Sequence, residues 1–474
     1  MDLTFRISLV AAGVLAATGA GCDREKRSPN VVFILADDLG YFQTGCYGSN
    51  YYRTANIDRL AAEGIRFTDA YAACSVSSPT RASIMTGKYP ARLHLTDFIP
   101  GNQNDNYPLS QPEWHKYLPL EEVTLAEMFS GKGYRTAIFG KWHLSKEKFG
   151  PESLPFNPDK QGFDQHFVSD KPDRNSDPEL DPHKSDSIGN TSVRFIRENS
   201  DNPFFLFVSF SAIHNPLMDK ADSISWWENV PGSEKDENNP VIAAMLSRLD
   251  RNVGKILDAL DFSGLASKTI VVFFSDNGGL AGDAKQTPLR EGKGWLYEGG
   301  IRVPLIIKWP GVIKKGRISK EIVSSVDFMP TFCDLIGSER FPSVDGVSLL
   351  DHLKTGRPLP ERNIYWHYPH YHNGPPSGAV RSGKWKLIEW YESSILENGK
   401  PAYELYNLEN DISESVDLAE REKAITLKLA DDLRKWREEL NAQMPVRNKN
   451  ALSDIFGFIN HHNKQRLSFT YLRD

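Results

Sequence analysis

The sequence predicts an α/β fold: a large doubly wound mixed sheet flanked by helices, with a smaller C-terminal subdomain of antiparallel sheet plus helix. Three observations carry this. The runs NVVFILA at 30–36, PFFLFVSFS at 203–211 and TIVVFFS at 269–275 lack polar alternation, which marks strands covered on both faces of a sheet. Amphipathic helical stretches stand between these runs, and past Leu359 the pattern changes to aromatic-rich alternating segments. The 474 residues, 40% hydrophobic and 25% charged, are enough for one large domain and a small one. A formal net charge of −6 repels phosphate backbones, so nucleic acid is not an expected partner and any anion site must be local. Four scattered cysteines without a C-x-x-C make neither a zinc motif nor a disulfide framework.

In order, residues 1–22 read as an export signal, because the apolar run Ile7 to Ala17 is too short to span a bilayer and leads into small residues ending at Cys22. The GAGC ending resembles a relaxed bacterial lipoprotein box, with Cys22 acylated as a lipid anchor; ordinary cleavage after Ala20 or Gly21 is the alternative. The expected location is the periplasm or the outer membrane of a Gram-negative bacterium, and no later run predicts a transmembrane helix.

A large domain is expected over 28–355. Its first strand, 30–36, ends in Asp37 and Asp38, at the end of a buried strand where open α/β sheets place their ligands. A helix is predicted over Asn56 to Phe67, stopped by Gly64. In AACSVSSPTRASIMTGKYPAR at 72–92, Ser78 is a good N-cap and Pro79 suits the first helical position. Ser77 then stands just ahead of a helix N-terminus, a setting that favours an anion, with Arg81 one turn in.

Residues 98–118 read as a loop, Thr124 to Gly131 as a helix, and Tyr134 to Phe139 as a strand ending in Gly140-Lys141-Trp142-His143. Residues 151–188 read as loop. The strand at 203–211 leads to His214, a helix follows from Pro240 to Leu260, and the strand at 269–275 ends in Asp276-Asn277. Strand segments around 302–308 and 322–324 complete this domain.

The subdomain, 356–442, opens on YWHYPHYHNGPP, continues in strands at 379–391 and 402–407, and closes on an amphipathic helix at 418–440. A polar tail, 443–474, follows. Two buried strands thus each deliver a pair of oxygen-bearing side chains. Three carboxylates and one amide, with no cysteine among them, suit Ca²⁺ or Mg²⁺ better than zinc, and Ca²⁺ is favoured.

Asp37-Asp38, S-x-P-T-R at 77–81, G-K-W-H at 140–143, His214, Asp276-Asn277 and Lys293 in GKGWLYEGG together resemble the type I sulfatases of the alkaline phosphatase superfamily. The segments ASIMTGKYPAR and LYEGGIRVPLIIKWPG strengthen the resemblance, which runs from about Asn30 to Asn410 and is nearest in kind to bacterial polysaccharide-utilisation sulfatases. It implies that Ser77 is oxidised to formylglycine (3-oxoalanine), whose hydrate ligates one calcium ion and attacks sulfur, with Asp37, Asp38, Asp276 and Asn277 holding the metal. It implies that Arg81 and Lys141 stabilise the hydrate. His143 would remove its second proton to expel sulfate, and His214 with Lys293 would bind sulfate and protonate the leaving alcohol. Bound calcium with Arg81, Lys141 and Lys293 outweighs the three carboxylates, so a sulfate ester is drawn in.

Serine at position 77 implies a radical-type maturase as partner during biogenesis, and Thr80 replaces the commoner serine of the motif. The expected reaction is exo-desulfation of a sulfated glycan, with galactose or N-acetylgalactosamine sulfate favoured. His94, His367, His370 and Arg381 are candidate sugar contacts, with ordinary loop or core residues the equal alternative. Two other functions compete: a phosphatase or phosphonate hydrolase using unmodified Ser77, and a non-catalytic sulfoglycan-binding lipoprotein.

Overall fold

The computed structural model describes residues 29–102, 106–146, 151–341, 343–449 and 451. The export segment with Cys22 and the tail beyond 451 lie outside the described residues. In chain order the strands are β1 (Asn30–Ala36), β2 (Ile65–Tyr71), the two-residue β3 (Leu109–Ser110), β4 (Arg135–Gly140), β5 (Gln165–Val168), β6 (Phe204–Ser209), β7 (Thr269–Ser275), β8 (Leu305–Lys308) and β9 (Arg317–Ser324). After them come β10 (Asn363–Tyr368), β11 (Ser377–Ser382), β12 (Trp385–Trp390), β13 (Tyr403–Asn407) and β14 (Val446–Arg447).

Eight strands form one mixed sheet in the order β5-β4-β6-β1-β7-β8-β2-β9. β1 lies at its centre, parallel to β6 and β7, and every residue of β1 and β7 is buried, as unbroken apolar runs require. β8 alone runs against its neighbours β7 and β2. The carboxyl ends of β1, β2, β4, β6 and β7 therefore share one edge of the sheet. Helices cover both faces: Ala55–Glu63, Ser185–Glu198 and Pro240–Phe262 contribute to one core, Ser77–Thr86, Leu125–Ser130 and Phe328–Ile336 to the other.

β10 to β13 make a four-stranded antiparallel sheet in sequential order. One side packs on the helix Lys423–Glu439 through Leu429, Leu433 and Trp436, against Val380, Leu387 and Leu405. The other side meets the large domain, where Trp366 Nε1 donates to the Ala72 carbonyl at 2.8 Å and Tyr71 shares the core. Buried charge joins the two units. Lys386 Nζ is 2.9 Å from Glu298 and 2.8 Å from Glu414, while Arg381 pairs with Asp69 at 2.8 Å.

Three local expectations are corrected. The helix predicted within 56–67 is stopped by Gly64 as expected, but residues 65–67 are not helical: the chain enters β2, where Ile65 and Phe67 point into the core at strand spacing and Ala70 follows after a bulge between Phe67 and Asp69. The supposed loop 151–188 holds β5 on the sheet edge and the start of the helix Ser185–Glu198. The helix predicted to begin at Pro79, after an N-cap at Ser78, begins at Ser77, which puts Pro79 third, where a missing N–H still costs nothing. Ser78 is no cap: its Oγ accepts from Ile99 N at 3.1 Å instead.

Candidate active site

The shared strand edge gathers side chains that are far apart in sequence. β1 ends in Asp37 and Asp38, β7 ends in Asp276 and Asn277, and β4 is followed by Lys141 and His143. β6 leads to His214, and β2 runs through a short loop into the helix that starts at Ser77. Thr80 shapes that loop: its Oγ1 donates to the carbonyls of Cys74 and Val76 and accepts from Cys74 N at 3.2 Å, so the threonine satisfies backbone groups ahead of the helix. Gly140, at φ +111, lets the chain leave β4 against the backbone of Ser209, where an added Cβ would stand 1.8 Å from the Ser209 carbonyl oxygen.

Ser77 Oγ lies 3.1 Å from Asp37 Oδ1 and 3.2 Å from Asn277 Oδ1. One oxygen from each of Asp37, Asp38 and Asp276 falls within 4.8 Å of the others. Around this acidic centre sits a ring of cations. Arg81 donates Nε and a terminal nitrogen to Asp276 Oδ2 at 2.9 and 2.7 Å. Its other terminal nitrogen is fixed by Ser209 Oγ at 2.7 Å and the Lys141 carbonyl at 2.9 Å. Lys141 Nζ holds Asp37 Oδ2 at 2.7 Å, and Lys293 Nζ holds Asp38 at 2.7 Å. All of these side chains are buried.

Burial raises every carboxyl here, and the cations decide which remain ionised. Asp37 is held well below the usual range because Lys141, His214, Arg81 and Lys293 outweigh its burial. Asp38 is lowered, chiefly by Lys293 and His214 against its burial. Asp276, with burial and Asp37 pushing it up more than Arg81 pulls it down, is raised to about 7. Burial works against Lys293, yet Asp38 and Asp37 raise it, so it stays protonated.

Both histidines have assignable tautomers. His143 Nε2 stands 2.7 Å from the Ile99 carbonyl, which can only accept, so Nε2 carries the proton. His143 Nδ1 is then a bare lone pair, buried and without a partner among the described residues. Burial, with Lys141 and Arg81, keeps this ring well below the ordinary histidine value and hence neutral. His214 Nδ1 donates to the Asn215 carbonyl at 2.6 Å, leaving Nε2 facing Asp38 Oδ2 at 3.8 Å. Burial and Lys293 push His214 down to about 4, so it too is neutral at rest. Asp38 and His143 sit at φ 61 and 59, left-handed values that non-glycine residues adopt at a cost of about 1 kcal/mol or more, and both lie at this centre.

The site is thus built from all ten residues named for it from the sequence. None of the four candidate sugar contacts bonds to these residues, and three are engaged elsewhere. His367 is buried with Nδ1 on the Tyr391 hydroxyl and Nε2 on the Gln443 carbonyl. His370 is buried between Thr96 and Gln111. Arg381 is spent on Asp69, Tyr71 and the Gly383 carbonyl. Such fully bonded side chains have nothing to offer a ligand. His94 is partly exposed, with Nε2 on the Asn441 carbonyl at 3.1 Å.

Ser209 and Ser169 are not singled out by the sequence. Ser209 ties Arg81 to Lys141, and a small polar residue closing an apolar strand was the available signal. Ser169 Oγ, buried and without a partner among the described residues, lines a cavity of ≈ 340 Å³ that also takes in Lys141, Trp142 and His143. Nothing local marks it.

The family model described as Sulfatase matches residues 29–338, and that described as N-sulphoglucosamine sulphohydrolase, C-terminal, matches 292–441. Arylsulfatase A of Homo sapiens is 33% identical over 404 residues, covering 76% of this chain and 74% of its own. The N-acetylgalactosamine-6-O-sulfatase of Bacteroides thetaiotaomicron is 26% identical over 530 residues, covering 90% and 98%. Among solved structures, Ps i-CgsB in complex with k-i-k-neocarrahexaose superposes with a TM-score of 0.74 at 27% identity, covering 94% of this chain and 99% of that one. With that match over well more than half its length, the chain belongs to the sulfatase family, enzymes that hydrolyse sulfuric esters.

Proposed function

We propose that the protein removes sulfate from a sulfated glycan, acting at a chain end on a galactose or N-acetylgalactosamine sulfate, with Ser77 converted to formylglycine and one calcium ion at Asp37, Asp38, Asp276 and Asn277. The observation that carries this reading is the setting of Ser77: a buried hydroxyl at a helix N-terminus, against Asp37 and Asn277, ringed by arginine, lysine and histidine. The donors fit a hard divalent cation, being oxygen only. Asp276 is raised to about 7 by burial and by Asp37, and a divalent cation beside it would favour its ionised form.

In place, the hydrated aldehyde supplies the nucleophile and calcium supplies positive charge that acidifies it and neutralises the ester. The chain's own residues do the rest. Lys293 Nζ and His214 Nε2 hold sulfate oxygens. Arriving sulfate adds negative charge beside His214, which favours its protonated form, and the ester S–O bond breaks as the alcohol oxygen takes a proton from this pair. Arg81 and Lys141 hold residue 77 in its attacking position. His143, whose Nδ1 lone pair is bare, takes the proton from residue 77 that releases sulfate. One ester and one water give one alcohol and hydrogen sulfate.

The carbohydrate reading is supported by a bacterial relative named as an N-acetylgalactosamine-6-O-sulfatase and by Ps i-CgsB, which is solved in complex with k-i-k-neocarrahexaose. Location in the periplasm or on the outer membrane, and maturation by a radical-type enzyme, rest on residues 1–22 and on serine at position 77. Among the described residues, no helix is long and apolar enough to cross a membrane. The test is sulfate release by protein co-expressed with a radical maturase, against a panel of sulfated sugars and an aryl sulfate. Release from galactose or N-acetylgalactosamine sulfates is expected. Turnover of the aryl sulfate alone would overturn the glycan assignment.

A further inference from the structure

His372, a residue the motifs do not single out, borders the site from the C-terminal subdomain. It belongs to a loop clamped onto the segment that carries Lys293. Asn373 Nδ2 donates to the Lys293 carbonyl at 2.8 Å, and His372 N bonds the Gly374 carbonyl at 3.1 Å. Two glycines permit the contact. A Cβ on Gly294 would stand 2.4 Å from His372 Nδ1, and one on Gly374 would stand 2.5 Å from the Trp295 ring. Phe98 meets the imidazole edge to face, centroids 5.3 Å apart. The ring is therefore positioned by packing alone, since Nδ1 is buried without a partner and Nε2 has none among the described residues.

A buried lone pair without a partner costs less than a buried N–H without one, which places the proton on Nε2, the nitrogen that is not buried. Burial and Lys293 hold the ring at about 4, so it is a neutral donor at neutral pH. Lys293 and His214 already face the anionic part of an ester. A fixed neutral donor beside them, next to the partly exposed rings of Phe98 and Trp295, matches an uncharged oxygen on a ring-shaped alcohol.

We infer that His372 is a specificity-determining residue of this site, its Nε2–H donating to a hydroxyl of the sugar that carries the sulfate; the inference rests on the glycan reading above. The test uses the matured full-length protein and compares His372→Ala and His372→Gln with the parent on N-acetylgalactosamine 6-sulfate and on 4-methylumbelliferyl sulfate, which has no such hydroxyl. His372→Ala is expected to lower kcat/KM on the sugar about tenfold or more and to leave the aryl ester within about twofold, with His372→Gln restoring part of the loss. Equal losses on both esters, or no loss on the sugar, would overturn the inference. A parent that hydrolyses the aryl ester and no sulfated sugar would overturn the glycan reading and the inference with it, a different pattern from the first two.

Discussion

Asp276 offers a quantitative test of the metal site. Its carboxyl is raised to about 7 by burial and by Asp37, in spite of Arg81. Between the unfolded value near 4 and about 7, the folded protein binds a proton that the unfolded chain has already lost, so metal-free stability falls as pH rises through this window. It levels off above. A carboxyl carried that far costs the folded state roughly 4 kcal/mol once ionised. The proposed calcium at the three carboxylates would offset this cost, and so should stabilise the protein more at pH 8 than at pH 5. Urea unfolding with calcium or with chelator at both pH values measures the difference, and Asp276→Asn should abolish both the calcium effect and this part of the pH slope. A calcium stabilisation equal at the two pH values, or none at either, would refute the reasoning.

Other outcomes follow from the same structure. His214→Asn should lower kcat on sugar sulfates about 100-fold and kcat on esters of acidic phenols far less, because good leaving groups need no proton, while KM rises for both with the lost sulfate contact; a steady-state comparison of the two esters checks it. Acid should destabilise the fold through His367, pushed down to about 3 by burial, and through His370, lowered by burial as well. Such groups contribute stability above the unfolded value near 6.5 and lose it as pH falls, about 2 kcal/mol by pH 5 for His367. His367→Gln should shrink that slope in denaturant titrations. Lys386→Met removes the cation shared by Glu298 and Glu414 and leaves Glu414 held by the Glu298 N–H. Thermal or urea unfolding should show a loss of about 3 kcal/mol; a loss under about 1 kcal/mol would contradict the role given to this buried pair of ion pairs.

What could be read from the chain depended on whether the signal was local. β1 and β7 are unbroken apolar runs, so their positions, and the oxygen-bearing side chains at their ends, were legible. β2 was not: IRFTDAY carries Arg66 and Asp69, and Asp69 is tolerated only because Arg302 and Arg381 reach it from distant segments. β5 sits at a sheet edge with exposed side chains and has no apolar pattern to show. The site residues follow strand ends and glycine turns, so they stand out in sequence. The sugar contacts do not. His367 and His370 look like surface histidines until Tyr391, Gln443, Thr96 and Gln111 close over them. His372 acquires its setting only from Gly294, which no local pattern links to it.

The central claim is that Ser77 is the precursor of the nucleophile. Mass spectrometry of the peptide containing residues 77–81, from protein matured with a radical-type enzyme, tests it directly when sulfate release is measured on the same sample. Residue 77 is expected to be lighter than serine by two hydrogens, in a fraction that rises in step with activity, and Ser77→Ala to be inactive. Fully active protein with unmodified Ser77 would contradict it.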